Sequence, residues 1–200
     1  SVTDSGSAGV SGTTTSVTLG GTTNYSPLAT SQLAASFNGT SSKIVVPDNA
    51  AWKSNNLTAE AWIKPAATQV TNWGSVVSRN TGSNGWWVEV TSAGQLWGYV
   101  NGVSLITASG VISPNKWQHI AMTYNGNAIN LYVNGVVVAT IAAPNIATQT
   151  LGTPIQIGTR NTTAMNFFSG LISNVALYNT ALSDARIQHH VQAGGYAANT

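Results

Sequence analysis

Apolar and polar residues alternate with a period of two along most of the chain. Leu57, Ala59, Ala61 and Ile63 interleave with Thr58, Glu60, Trp62 and Lys64, and Pro65, which cannot donate to a strand ladder, closes the run. Trp86, Val88 and Val90 interleave with Trp87, Glu89 and Thr91. The stretch 95–100 alternates again and stops at Asn101-Gly102, the sequence of a type I′ hairpin turn. Runs rich in β-branched and aromatic residues predict further strands over 42–47, 75–79, 116–124, 129–133, 136–141, 154–158 and 171–178, with a short one at 17–19. About ten short strands joined by Asn-Gly turns are the pattern of an antiparallel sandwich. One helix is predicted: Ser183 suits an N-cap, 184–192 follows it, and Gly194-Gly195 stops it.

Residues 1–35 differ from the rest. They hold a single charged residue, Asp4, and no Trp, and Ser5-Gly6-Ser7-Ala8-Gly9 has linker composition. The expected organisation is a polar N-terminal arm over 1–35 and one β domain over 36–200. A polar arm orders only against something, either its own domain or the sheet edge of a neighbouring copy. Self-association through the arm is therefore one expectation.

Composition narrows the function classes. Of 200 residues only 7 are Lys or Arg and 5 are Asp or Glu, 6% in all, against roughly 25% in an average soluble domain. Ser, Thr and Asn (21, 25 and 20 residues) take their place. The pI of about 9.0 rests on a net charge of only +2, and the basic residues are scattered between Lys43 and Arg186. Nucleic-acid binding needs a dense cationic patch, so no nucleic-acid partner is expected. The run Val136-Val137-Val138-Ala139 ends at Thr140, far short of the roughly 18 apolar residues of a membrane span, so no membrane insertion is expected. The first residues lack the basic start and apolar middle of a secretion signal. Without Cys there is neither a disulfide framework nor a thiolate site. A weakly charged Ser/Thr/Asn surface suits an extracellular protein or one displayed on a virion or cell surface.

Several motifs in order carry a resemblance. They are Phe37-Asn38-Gly39, Val45-Val46-Pro47-Asp48, Leu57-Thr58-Ala59-Glu60-Ala61-Trp62-Ile63-Lys64-Pro65, Lys116-Trp117-Gln118-His119-Ile120, Leu131-Tyr132-Val133-Asn134-Gly135 and Phe168-Ser169-Gly170-Leu171-Ile172 with its continuation to Ser183. Over about 35–190 the chain resembles the laminin-G-like jelly roll of the concanavalin A-like lectin/glucanase group. That resemblance implies an all-β, antiparallel two-sheet jelly-roll sandwich with one short C-terminal helix. The fold hosts lectins, enzymes, adhesins and structural modules, so function must come from the site. Many relatives carry acidic residues where this chain has Ser173-Asn174, near a Ca²⁺ site. Ca²⁺ favours carboxylates, and the only Asp residues here are Asp4, Asp48 and Asp184. No cofactor is expected, with Ca²⁺ held by amide and backbone oxygens as the alternative.

Catalysis finds little support. Related glucanases use closely spaced carboxylates on one strand, and retaining hydrolysis needs two carboxyls about 5–5.5 Å apart. The only Glu residues are Glu60 and Glu89, each without a carboxylate neighbour in sequence. His189 and His190 are adjacent on the predicted helix and point about 100° apart, unlike the i, i+4 spacing of helical zinc pairs. The expectation is a non-enzyme.

The informative feature is aromatic. Alternation puts Trp62 with Glu60, Trp87 with Glu89, Trp97 and Tyr99 with Gln95, and Tyr132 with Asn130 and Asn134. If those strands adjoin in one sheet, Glu60, Trp62, Trp87, Glu89, Gln95, Trp97, Tyr99 and Tyr132 form one face of aromatic plates among amides and carboxylates. Sugars bind such faces, their CH-rich ring surfaces stacking on aromatics while hydroxyls bond to the polar groups. A covered core surface or a subunit interface reads the same way. The leading expectation is a carbohydrate-binding, lectin-like module with a glycan or polysaccharide partner. The alternative is a structural subunit of an extracellular filament, coat or virion assembly.

Overall fold

The computed structural model describes residues 1–22, 33–69, 71–145, 152–160 and 165–195. The strands are β1 (Thr13–Thr15), β2 (Thr18–Thr22), β3 (Leu33–Asn38), β4 (Lys43–Val46), β5 (Leu57–Pro65), β6 (Trp73–Thr81) and β7 (Asn84–Thr91). They continue as β8 (Leu96–Val100), β9 (Val103–Ile106), β10 (Gln118–Tyr124), β11 (Ala128–Val133), β12 (Val136–Ala142), β13 (Ile155–Ile157) and β14 (Ser169–Tyr178). Helix α1 (Asp184–Ala193) follows β14. Two seven-stranded antiparallel sheets result: β1-β4-β13-β6-β7-β8-β9 and β12-β11-β10-β5-β14-β3-β2. This is the two-sheet sandwich with one short C-terminal helix that the sequence predicts.

Alternation fixes the inner faces. Leu57, Ala59, Ala61 and Ile63 of β5 and Trp86, Val88 and Val90 of β7 all lie in one core shared by the two sheets. The Asn-Gly turns set the register. Asn101 and Gly102 have φ of 37° and 96°, and Asn134 and Gly135 have 50° and 82°, the two positive φ values that a type I′ hairpin requires. Each turn therefore joins its neighbours directly, β8 to β9 and β11 to β12.

The sequence underestimates the number of strands. β1, β3 and β9 escape a pattern reading because each is short or lies beside polar residues. The arm residues add a strand to each sheet of their own domain, β1 on β4 and β2 on β3. Residues 23–32 of the expected arm lie outside the described residues.

The helix begins where expected. Ser183 accepts a hydrogen bond from the Arg186 amide at 3.3 Å, and the backbone leading to it is tied to β5 through Thr58, whose hydroxyl donates to Thr180 O and accepts from the Leu182 amide. This lays α1 across the outer face of the second sheet, with Ile187 on Ala121 and Tyr132 and Val191 on Trp62. Among the described residues no α-helix lies on the outer face of the first sheet.

Candidate functional site on the outer face of the first sheet

Cross-strand register gathers the aromatics of β7 and β8. Trp87 lies opposite Tyr99 and Glu89 opposite Trp97, while Ser75 of β6 lies opposite Glu89. The Trp87 and Tyr99 rings stack at 3.7 Å between centroids, only 6° from parallel. Trp97 meets the edge of Trp87 at 5.7 Å, and Trp73, from the start of β6, lies against Trp97 at 4.3 Å with a 51° tilt. Trp87 and Tyr99 are buried and form the floor. Trp73 and Trp97 are half-buried and face outward. Exposed Ile106 and Met165 stand at either rim.

The polar groups of this face come from far along the chain. Arg160 pairs with Met165 through two backbone hydrogen bonds, and its guanidinium lies 4.4 Å from the Trp87 ring centroid and 5.7 Å from that of Trp97. Its Nε stands 3.4 Å from Glu89 Oε1. The Asn166 amide donates to both Glu89 oxygens, at 3.1 and 3.2 Å. Glu89 is wholly buried. Burial pushes its carboxyl up to about 7, although Arg160 and Asn166 act in the other direction. Ser75 Oγ, Trp87 Nε1 and Arg160 Nη1 are buried around it without a hydrogen-bond partner.

Four of the eight residues singled out by alternation, Trp87, Glu89, Trp97 and Tyr99, meet here. Gln95 lies just before β8, and its side chain is used locally, accepting from Thr91 Oγ1 and donating to Thr107 O. The other three are elsewhere: Glu60, Trp62 and Tyr132 lie on β5 and β11 of the second sheet, beneath α1. The single face expected from the alternation is thus two faces on opposite sides of the sandwich. Period two sorts residues within a strand but says nothing of which strands adjoin. Trp73, Arg160 and Asn166 were not read from the sequence. Continuing the alternation of Ser75 back by two residues would have found Trp73; Arg160 and Asn166 carry no local signal.

On the second sheet, Glu60 is the centre of a closed polar cluster. Its carboxylate lies 2.8 Å from His190 Nδ1 and 3.4 Å from His119 Nε2, and it accepts from the Tyr178 hydroxyl at 3.2 Å. Tyr132 donates to Asp184 at 2.8 Å, and Trp62 packs under Gly194, where a Cβ would approach the ring to 2.6 Å. Burial raises the Glu60 carboxyl, but the hydrogen bonds and charge of His119 and His190 more than reverse this and hold it below the ordinary 4.5. A lowered carboxyl stabilises the fold fully above that ordinary value and loses its contribution as pH falls through the folded value. Thermal unfolding of the wild type should therefore drop steeply below about pH 4.5, and Glu60→Gln should flatten that limb. An unchanged acid limb in the variant would show that Glu60 does not anchor α1.

Glu60 and Glu89 stand on the outer faces of opposite sheets, and packed sheets are themselves about 10 Å apart. The two carboxyls cannot attack and protonate the same glycosidic bond. Each Asp has its own setting. Asp4 accepts from the Gly6 and Val10 amides, Asp48 pairs with Lys53 and Arg79, and Asp184 receives Tyr132. Ser173 and Asn174 form an irregularity in β14, with Asn174 at φ 48°. Among the described residues no three His, Cys, Asp or Glu side chains gather as a metal site.

The sequence matches, over residues 38–188, a laminin-G family model described as the concanavalin A-like lectin/glucanases superfamily. The chain belongs to this superfamily. A search of curated proteins finds no sequence match to this concanavalin A-like chain. Solved structures resemble it throughout. The binding domain of Paraclostridial Mosquitocidal Protein 1 superposes with a TM-score of 0.72 at 20% identity, covering 96% of this chain and 49% of the toxin domain. A botulinum neurotoxin type C structure, whose cell entry is described as dependent on two ganglioside molecules, gives 0.68 at 15% identity, covering 97% and 49%. Domain 4 of AbnA, an extracellular arabinanase from Geobacillus stearothermophilus solved with arabinotriose, gives 0.63 at 20% identity and covers 88% of both chains. The chain thus spans about half the length of the toxin domains it matches. At these identities the likeness is one of fold.

Proposed function

We propose that this chain is a non-catalytic carbohydrate-binding module acting outside the cell or on a cell or virion surface, with its glycan seated on the outer face of the first sheet. The observation that carries the reading is the Trp73–Trp97 pair: two half-buried rings on a sheet face that, among the described residues, no α-helix covers. A pyranose ring stacked on Trp97 removes apolar surface from water on both partners. Ser104, which accepts from Trp97 Nε1, holds that ring from the β9 side and offers a hydroxyl at its edge. Superfamily membership and the neighbours, described as a toxin binding domain, a neurotoxin whose cell entry depends on gangliosides and an arabinotriose complex, support the same reading.

A glycan array followed by affinity electrophoresis tests it. Trp97→Ala should weaken binding by about 5-fold to about 150-fold, since an aromatic stacking partner is worth roughly 1–3 kcal/mol. Its effect on stability should be smaller than that of a fully buried Trp, since the ring is half-exposed. Unchanged glycan binding by the variant would sink the reading.

A structural role in an assembly is favoured by a different observation. Edge strand β12 exposes Val136, Val137 and Val138 at 59%, 38% and 37% and contains no charged residue or Pro. Uncharged apolar edges are templates for strand pairing, although the bulge between Leu131 and Tyr132 in its pairing with β11 twists this one. Light scattering in dilute solution separates the two readings, a particle of many copies favouring assembly and a monomer favouring the binding module.

A further inference from the structure

We infer that the sugar taken by this face is an acidic one, a uronic or sialic acid residue, whose carboxylate binds the Arg160 guanidinium while its ring lies against Trp97. The inference rests on the glycan-binding reading and adds the ligand class to it.

Arg160 is underused where it stands. A guanidinium carries five N–H donors in a planar fork suited to a carboxylate. Here Nε faces Glu89 at 3.4 Å, Nη2 meets only the Met165 thioether at 3.7 Å, and Nη1 has no acceptor. Sulfur is a weak acceptor. The Met165 side chain is 42% exposed, unbranched and flexible, so it can yield the Nη side of the fork to a better acceptor. The flanking Trp87 and Trp97 rings keep the guanidinium aimed and exclude water from one side.

The anion already present is a poor competitor. Glu89 is the one acidic residue of this face; Glu60, Asp4, Asp48 and Asp184 are engaged elsewhere. The groups that touch or oppose Glu89 are Arg160, the Asn166 amide, Ser75 on β6 and Trp97 on β8, and of these only Arg160 is charged. Its carboxyl is pushed up to about 7, so below neutrality it carries a proton and leaves the guanidinium without an anion. A sugar carboxylate, acidic near the α-carboxyl range of about 3.5, remains ionised there. Acidic-glycan binding should therefore be tightest at about pH 5–6.5 and weaken above 7, where ionised Glu89 holds Arg160 and repels the ligand.

Isothermal titration with sialyllactose against lactose, and with an oligogalacturonate against its carboxyl-reduced form, tests the inference at pH 5.5 and pH 8. One or both acidic probes should bind about 10- to 100-fold more tightly than the neutral counterpart at pH 5.5, the range expected for a charge-assisted pair. The preference should shrink at pH 8. Glu89→Gln should retain it at pH 8, and Arg160→Gln should abolish it, with Arg160→Lys intermediate because a point charge replaces the fork. Circular dichroism of each variant verifies the fold. Equal binding of acidic and neutral probes, or a preference that survives in Arg160→Gln, would overturn the inference and leave the glycan-binding face standing. Absence of binding by every probe at both pH values, and across the array, would overturn both.

Discussion

Replacing Arg79 by Ala should cost the fold about 3–5 kcal/mol, because removing a large, fully buried side chain leaves a cavity and buried carbonyls without their donor. Arg79 has no solvent exposure. Its Nη2 binds Asp48 at 3.0 Å, while Nη1 and Nε donate to the Trp52 and Thr153 carbonyls, each at 3.4 Å. One side chain on β6 thus ties down the turn at 48–53 and the chain entering β13. Burial raises the Asp48 carboxyl, and Lys53 and Arg79 outweigh it, so the carboxyl lies below its usual range. Ala would leave Asp48 with Lys53 alone, strip two carbonyls of a donor and open a cavity. The urea midpoint should fall with the slope unchanged. Arg79→Met should recover part of the loss, because it refills the volume and Asp48 keeps the half-exposed Lys53 at 3.0 Å. A drop of less than about 1 kcal/mol for Arg79→Ala would show that the arginine is only accommodated.

Gly170→Ala is expected to be as damaging for a different reason. Gly170 has φ of 135° and pairs with Pro65 where β14 begins to run along β5. A Cβ there would lie 2.3 Å from Lys64 O, 2.9 Å from Ala66 N and 2.9 Å from Pro65 Cα. All three are backbone atoms, so no rotamer change relieves the clash and β14 must lift from β5. Backbone strain of about 1–3 kcal/mol and overpacking of a similar size predict a loss of roughly 3–5 kcal/mol. Gly20→Ala is the closer control: its φ of 107° also lies beyond the left-handed helical region, but no atom lies within 4 Å of a Cβ. Chemical denaturation of the two variants separates the clash from the dihedral cost. Equal losses in both would show that the close approach to β5 contributes nothing.

Much of the fold was legible because its signals are local. The strict alternation of 57–64 named the residues of β5 that enter the core, and Asn101-Gly102 and Asn134-Gly135 named their turns because few residue pairs tolerate two successive positive φ values. Ser183 named the start of α1 through its side-chain oxygen. The same alternation misled on exposure. Thr58, Glu60 and Trp62, the polar-phase residues of β5, are as buried as its apolar phase because α1 and the segment leading into it cover them. No feature of 57–64 reveals that a helix more than a hundred residues later will lie there.

The candidate site divides along the same line. The sequence by itself determined that Trp87 and Glu89 share one side of a strand, that Trp97 and Tyr99 share one side of another, and that too few charges exist for a nucleic-acid surface. Local stereochemistry and composition suffice for each of these. Tertiary structure alone decided that β7 and β8 adjoin while β5 and β11 belong to the opposite sheet, so that one expected face became an open aromatic surface and a covered histidine–glutamate cluster. It alone brought Arg160 and Asn166 to Glu89 across more than seventy residues. Strand neighbours are chosen by the burial of the whole chain, and the proton affinity of Glu89 depends on what that burial sets around it.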